Sequence, residues 1–144
     1  MSAIEITTDR ARMDVDAIRA FLARSYWANG IAREVVARAV ANSLCFGAFA
    51  GAAQIGFVRV VTDCATFAYV ADVYVLEAYR GRGISKALMA AVRAHPDLQG
   101  LRRWHLATRD AHGLYRQFGF TALENPDRHM ESVDPEVYSR MGER

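Results

Sequence analysis

The chain has 144 residues, 52% apolar and 24% charged, which is enough for one continuous core. A formal net charge of +2 and a pI near 8.7 are too mild for the broad cationic face of a nucleic-acid binder. No stretch of ~18 apolar residues runs without a charge, and Met1–Thr8 lacks a basic segment followed by an apolar one, so a cytoplasmic protein without membrane contact is expected. Cys45 and Cys64 both sit in apolar sequence with no metal or redox spacing, and are read as reduced and structural.

Ile4 and Ile6 alternate within residues 1–7 and predict an edge strand. From Asp14, Val15, Ile18, Phe21 and Leu22 recur at helical spacing, ending near Ser25 before Tyr26, Trp27 and the Asn29-Gly30 turn signal. A second helix carries its apolar stripe on Ala32, Val35, Val36, Ala39 and Val40. Residues 44–50 and 54–62, separated by Gly51, predict an antiparallel hairpin. Residues 65–76 are almost continuously apolar and predict a central strand covered on both faces, with Asp72 as its one charge.

After a glycine-containing loop, Ile84, Ala87, Leu88, Ala91 and Val92 mark a helix that ends before Pro96. Residues 101–108 predict another strand, Asp110 an N-cap for a short helix through Phe118, and residues 120–123 a last strand. The tail after Asn125 is polar, with Met130, Val133 and Val137 available for packing. The order β-α-α-β-β-β-α-β-α-β predicts a mixed α/β domain, residues 1–144, with helices on both faces of one sheet.

The segment with the most chemistry is Tyr79-Arg80-Gly81-Arg82-Gly83-Ile84-Ser85-Lys86, placed between a strand and an amphipathic helix. The first turn of a helix has four backbone N–H groups without intrahelical partners, at the positive end of the macrodipole, and anions bind there. Gly81 and Gly83 permit positive φ and let a phosphate approach the main chain, while Arg80 and Arg82 add charge-assisted donors. A P-loop needs a G-x-x-x-x-G-K-[ST] spacing that is absent. A dinucleotide fingerprint needs a third glycine where Lys86 stands.

These residues resemble the GNAT superfamily of N-acetyltransferases, whose loop is [RQ]-x-x-G-x-[GA]; here it reads Arg80-Gly81-Arg82-Gly83-Ile84-Ser85, with Ser85 in place of Gly or Ala. Asp72-Val73-Tyr74-Val75 is similar to the strand that pairs its main chain with pantetheine in that family, with Glu77 where a proline is frequent. Ala111-His112-Gly113-Leu114-Tyr115-Arg116-Gln117-Phe118-Gly119-Phe120 resembles the second cofactor motif, A-x-x-L-Y-x-x-x-G-F, and Thr108 replaces a common asparagine. The resemblance covers residues 3–123. It implies a central mixed, mostly antiparallel sheet with helices on both faces, and acetyl-CoA as cosubstrate without a metal. Val73, Tyr74, Val75 and the run Arg80, Gly81, Arg82, Gly83, Ile84, Ser85, Lys86 would bind the cofactor.

The resemblance further implies direct attack by an amine in a ternary complex, with main-chain N–H groups near Val73–Val75 holding the thioester carbonyl where the strands splay. Tyr115 matches the position of the family's acid; its phenol is protonated at neutral pH and can donate to the leaving sulfur, or it can simply pack between helix and sheet. Asp72, the one carboxylate in its apolar strand, suits a base acting through water. It equally suits an anchor for a cationic substrate or a partner for an arginine. Tyr26 and Trp27 fall where the family lines its acceptor opening, and are read as an aromatic wall for a cationic amine or as a core anchor. His95, His105, His112 and His129 have no ligand spacing, so no metal site is assigned.

The leading expectation is an acetyl-CoA-dependent N-acetyltransferase acting on a primary amine of a small molecule or peptide. The alternative is a CoA-binding sensor that transfers nothing. A nucleic-acid patch of Arg80, Arg82, Arg102 and Arg103 lacks any accompanying stacking or helix-turn-helix pattern. A homodimer through the sheet edge or the tail from Asn125 is an arrangement found in the resembling family.

Overall fold

The computed structural model describes residues 3–142. Five strands form one sheet in the order β1 (Ile4–Thr7), β2 (Leu44–Ala50), β3 (Ala53–Thr62), β4 (Phe67–Val75) and β5 (Arg103–His105). The first three pairings are antiparallel and β4–β5 is parallel, so the sheet is mixed and mostly antiparallel, as expected. Helices α1 (Val15–Leu22) and α2 (Arg33–Ala41) cover one face, and α3 (Ile84–Ala94) covers the other. Two short helices, α4 (His112–Arg116) and α5 (Val137–Gly142), follow. Met1 and Ser2, placed in the first strand by the sequence, lie outside the described residues.

Each helix buries or half-buries its predicted stripe, except that in α3 the predicted Ala87 is exposed and Met89, outside that stripe, is buried. Asp14 caps α1 by accepting from the Ala17 N–H at 3.0 Å, and Ile18 and Leu22 are buried below it. α2 buries Val36 and Val40; α3 buries Ile84, Leu88, Met89 and Val92. The α3 face packs these against Phe46, Ala48, Val58, Val60, Ala68, Val70 and Val75, while the α1–α2 face gathers Cys45, Phe57 and Tyr74.

β4 carries the feature that organises the site. Its pairing with β3 shifts between Phe57 and Arg59, so Val58 faces both Asp72 and Val73, and Asp72 takes φ +56°. This is a β-bulge with its extra residue in the left-handed region, which aspartate tolerates better than most side chains. The bulge reverses which face each side chain takes. Before it, Ala68 and Val70 point to α3; after it, Val75 does, and Tyr74 has passed to the α1–α2 face, stacked on Phe21 at 4.0 Å.

Several expectations need correction. β4 is only half covered, because one side opens into a cavity; β2 and β3 carry the long buried runs. The strand expected over residues 101–108 ends at His105, where the chain turns away from β4. Residues 120–123 form no strand: Phe120 instead sets its ring edge-on to Trp104 and Tyr115. The N-cap of α4 is Ala111, not Asp110, and Thr108 Oγ1 accepts the Ala111 N–H at 3.1 Å. Cys64 is exposed in the β3–β4 turn, where Asp63 accepts the Ala65 and Thr66 N–H groups, while Cys45 is buried; both are free thiols. In the tail, Met130 is 97% and Val133 67% exposed, and Tyr138 is the side chain that packs onto the α1–α2 core.

Candidate active site

β5 pairs only with residues 67–69 of β4, so the β4 edge from Val70 to Val75 has no neighbouring strand on that side. The two strands part there, and the gap widens into a cavity of about 520 Å³ between the sheet and α1–α2. Its walls are residues 69–73 of β4, residues 106–111 and Tyr115 after β5, the α1–α2 connection with Tyr26 and Trp27, and Tyr138 of α5. Below them lies an apolar floor that includes Leu22, Ile31, Val36 and Phe57.

Asp72 projects into this cavity because the bulge turns it to the α1–α2 side. Arg59 Nε of β3 donates to Asp72 Oδ2 at 2.7 Å and Trp27 Nε1 donates to Oδ1 at 2.8 Å. The side chains of this pair are 10% (Asp72) and 21% (Arg59) exposed, whereas the other ion pairs among the described residues lie at the surface. Arg59 Nη1 also donates to Ser43 Oγ at 3.3 Å. Of the alternatives open for Asp72, the arginine-paired carboxylate is therefore present; a carboxylate fixed on both oxygens is rigidly placed.

The mouth is framed by two loops that touch. The Arg109 guanidinium lies 3.9 Å from the Tyr26 ring centroid, and the Arg109 main-chain N–H donates to Tyr26 Oη at 3.3 Å. Trp27 meets Tyr26 edge-on at 5.1 Å. Tyr26 and Trp27 remain 53% and 41% exposed, so they form an accessible wall and not a closed core anchor. Tyr115 is buried on the opposite side, and burial, with Tyr26 and Asp110 nearby, pushes its phenol up to about 12. No protein group among the described residues hydrogen-bonds its hydroxyl, and no buried side-chain oxygen there lacks a partner, so the hydroxyl reaches the cavity.

The glycine loop stands apart from the cavity, at the far end of β4. A 3-10 turn, Glu77–Tyr79, leads into it, and Arg80 Nε donates to the Val75 carbonyl at 3.1 Å, tying loop to strand. Gly81 and Gly83 take φ +78° and +75°, and Gly83 is the N-cap of α3 without any side-chain cap. A Cβ at either glycine would meet nothing within 4 Å, so the left-handed backbone is what requires glycine here. Ile84, Ser85 and Lys86 thus open α3 with uncapped N–H groups facing solvent, and Arg82 lies over the Tyr79 ring at 5.2 Å. A ligand touching both loop and cavity must be elongated and lie along β4.

The chain is similar to known proteins in sequence and fold. A family model for the acetyltransferase (GNAT) domain matches residues 41–122, more than half of the chain. The chain belongs to the GNAT acetyltransferase family. A Gibberella zeae protein named "putative acetyltransferase" is 31% identical over 133 residues, covering 76% of this chain and 74% of its own. A crystal structure from Xanthomonas campestris pv. campestris, of a "putative acetyltransferase belonging to the gnat family", is 51% identical. It superposes with a TM-score of 0.93 over 96% of this chain and 99% of that one. A Clostridium acetobutylicum "predicted acetyltransferase with acetyl-CoA" shares the fold at 14% identity, with a TM-score of 0.64 over 93% and 96% of the chains. Membership places the protein among the acyltransferases, whose shared reaction is acetyl transfer.

Reading the GNAT sequence alone missed Arg59, Arg109 and Asp110 as cavity residues. Arg59 had a signal: a single arginine in the apolar run Phe57-Val58-Arg59-Val60-Val61, on the strand that pairs with the one holding a single aspartate. Arg109 and Asp110 had none, since their role follows from the chain turning away after His105. Among the described residues no group of three or more His, Cys, Asp or Glu could hold a metal, and no helix is long and apolar enough to cross a membrane.

Proposed function

We propose that the chain, as one domain over residues 1–144, transfers the acetyl group of acetyl-CoA to a primary amine by direct attack. The observation that carries this reading is the single line formed by the uncapped glycine loop, the open edge of β4 and the Tyr115 hydroxyl. Acetyl-CoA spans it, with pyrophosphate on the N–H groups of Gly83–Lys86 and Arg82, pantetheine along Val73–Val75, and the thioester at the bulge. The acetyl-CoA in the Clostridium relative supports the choice of cosubstrate.

In the reaction, the amine nitrogen bonds to the acetyl carbon, the C–S bond breaks, and the amine loses a proton. Open main-chain N–H groups at the bulge hold the developing oxyanion. With the phenol pushed up to about 12, above the usual range of an alkyl thiol, full transfer of the tyrosine proton to the sulfur is uphill. Tyr115 therefore stabilises the thiolate by hydrogen bonding as the C–S bond breaks, and the sulfur takes its proton from solvent. Asp72, fixed by Arg59 and Trp27, anchors the incoming ammonium, which gives one proton through water to Asp110 at the cavity mouth to become the nucleophilic amine; the second proton leaves to solvent after the C–N bond forms. The buried, free Cys45 fits a reducing cytoplasm and takes no part.

The test is thiol release from acetyl-CoA with an amine panel, with acetyl-CoA binding measured separately by calorimetry. Acetyl-CoA binding with acceptor-dependent thiol release is the expected result. Binding without release for any amine would replace the enzyme with a CoA-binding sensor.

A further inference from the structure

The cavity holds a matched pair of charges whose hydrogen-bonding capacity is not used up. Arg59 spends its Nε–H on Asp72 and one Nη1 hydrogen on Ser43, out of five N–H donors in its fork. Its Nη2 has no hydrogen-bond partner among the described residues and is not a buried unsatisfied nitrogen, so it opens onto the cavity that Arg59 lines. Asp72 accepts one hydrogen bond on each oxygen, which leaves further lone pairs free. A donor fork and an acceptor carboxylate thus stand side by side, 2.7 Å apart, on the cavity wall next to the bulge.

The rest of the cavity narrows what would answer both. Its charged residues are Arg59, Asp72, Arg109 and Asp110, two of each sign. Such a balance offers nothing to a polycation and suits a ligand with no net charge. A simple apolar amine would satisfy Asp72 but leave the Arg59 donors without water or partner once the cavity fills, a costly state. The floor of Ile31, Val35, Val36 and Phe57 is apolar. We propose that the acceptor is an α-amino acid with an apolar side chain, its ammonium on Asp72, its carboxylate on Arg59 and its side chain on that floor. This rests on the acetyl-transfer reading and names the class of amine. Arg59 is then the residue that sets specificity, since a guanidinium fork and a carboxylate match bidentately.

The test compares kcat/KM for leucine and phenylalanine with isopentylamine, phenethylamine, leucinamide and spermidine, by thiol release and the mass of the N-acetyl product. The expected result is that each amino acid exceeds its carboxylate-free counterpart by about tenfold or more, with spermidine the poorest. Arg59→Met brings that ratio close to one through loss of the amino-acid rate. Arg59→Lys keeps a cation beside Asp72, so it holds the fold if Arg59→Met does not, and gives an intermediate ratio. Amines that equal or surpass the amino acids, or a ratio unchanged in both variants, overturn the proposal. An absence of thiol release across the whole panel, whether or not acetyl-CoA binds, overturns the proposal together with the acetyl-transfer reading beneath it, whereas release with the carboxylate-free amines alone overturns the proposal and leaves that reading standing.

Discussion

The two faces of the sheet use similar residues to opposite ends. On the α3 side, Leu88, Met89 and Val92 close completely over Val58, Val60 and Ala68, and among the described residues no ionised group is buried there. On the α1–α2 side, equally apolar helices stop short of the sheet near Asp72, leaving the cavity, the Arg59–Asp72 pair and an exposed aromatic rim. One face is a dry core that fixes the strands; the other packs incompletely and leaves the cavity in which we propose the acceptor binds. Stability and activity are therefore separable by face.

The comparison breaks most visibly in the dry face. Leu88→Ala, at a fully buried position, is expected to lower stability by about 3–5 kcal/mol, read by denaturant unfolding, while KM for the acceptor at permissive temperature stays within twofold. An acceptor KM raised as much as stability falls would show that the faces are coupled. Next, Asp72→Ala strands Arg59 in its half-buried site and is expected to cost about 2–4 kcal/mol as well as acceptor binding. Adding Arg59→Met should restore part of the stability but not the activity.

Tyr115→Phe is expected to lower kcat by about 100-fold with an acetyl-CoA KM close to that of the parent and a stability change under about 1 kcal/mol, since the hydroxyl has no protein partner. Full turnover in this variant would return Tyr115 to a packing role. Gly83→Ala forces a Cβ into the left-handed region at about 1–2 kcal/mol, without a clash, and should raise KM for acetyl-CoA several-fold while leaving kcat near its parent value.

The last effect is confined to alkaline pH. Burial pushes the Cys45 thiol from 9.0 up to about 11 and Tyr115 from 10.0 up to about 12, and raises Tyr74 as well. All three bind their protons more tightly when folded. Their contribution is complete below pH 9 and is lost as the unfolded chain ionises first, from pH 9 upward through pH 12. Melting temperature should be flat with respect to these groups up to pH 9 and fall above it. Cys45→Ala should flatten the part of the fall between pH 9 and 11.

The same division governs what could be read in advance. The elements that build the dry face, β2, β3 and α3, were legible because their apolar period reports burial directly. α1 and α2 were legible for the same reason, and the left-handed turn before α3 because two closely spaced glycines between a strand and a helix call for positive φ. The cavity was less so. Its existence depends on β5 ending after three residues and on a bulge at Asp72, and both are decided by how strands part, not by which residues compose them. Asp110 fits an N-cap locally, yet the helix starts one residue later, with Ala111 at the cap position and no side-chain cap, and Asp110 lines the cavity instead. Phe120 has strand-like neighbours, but its ring is worth more against Trp104 and Tyr115, with Arg93 4.5 Å above the Trp104 ring.

The bulge in β4 acts as a phase shift in a signal of period two. Everything downstream of Asp72 is read by the opposite side of the sheet from the one its count would assign. A deletion of one residue there would be more than a shortening: Tyr74 would exchange places with Val73 and Val75, putting a phenol into the α3 core and valines under Phe21. Position 72 also demands a side chain that tolerates a left-handed backbone. Few residues other than asparagine and glycine can follow aspartate there, and neither carries its charge, so the geometry of the strand and the chemistry of the site are constrained through one side chain.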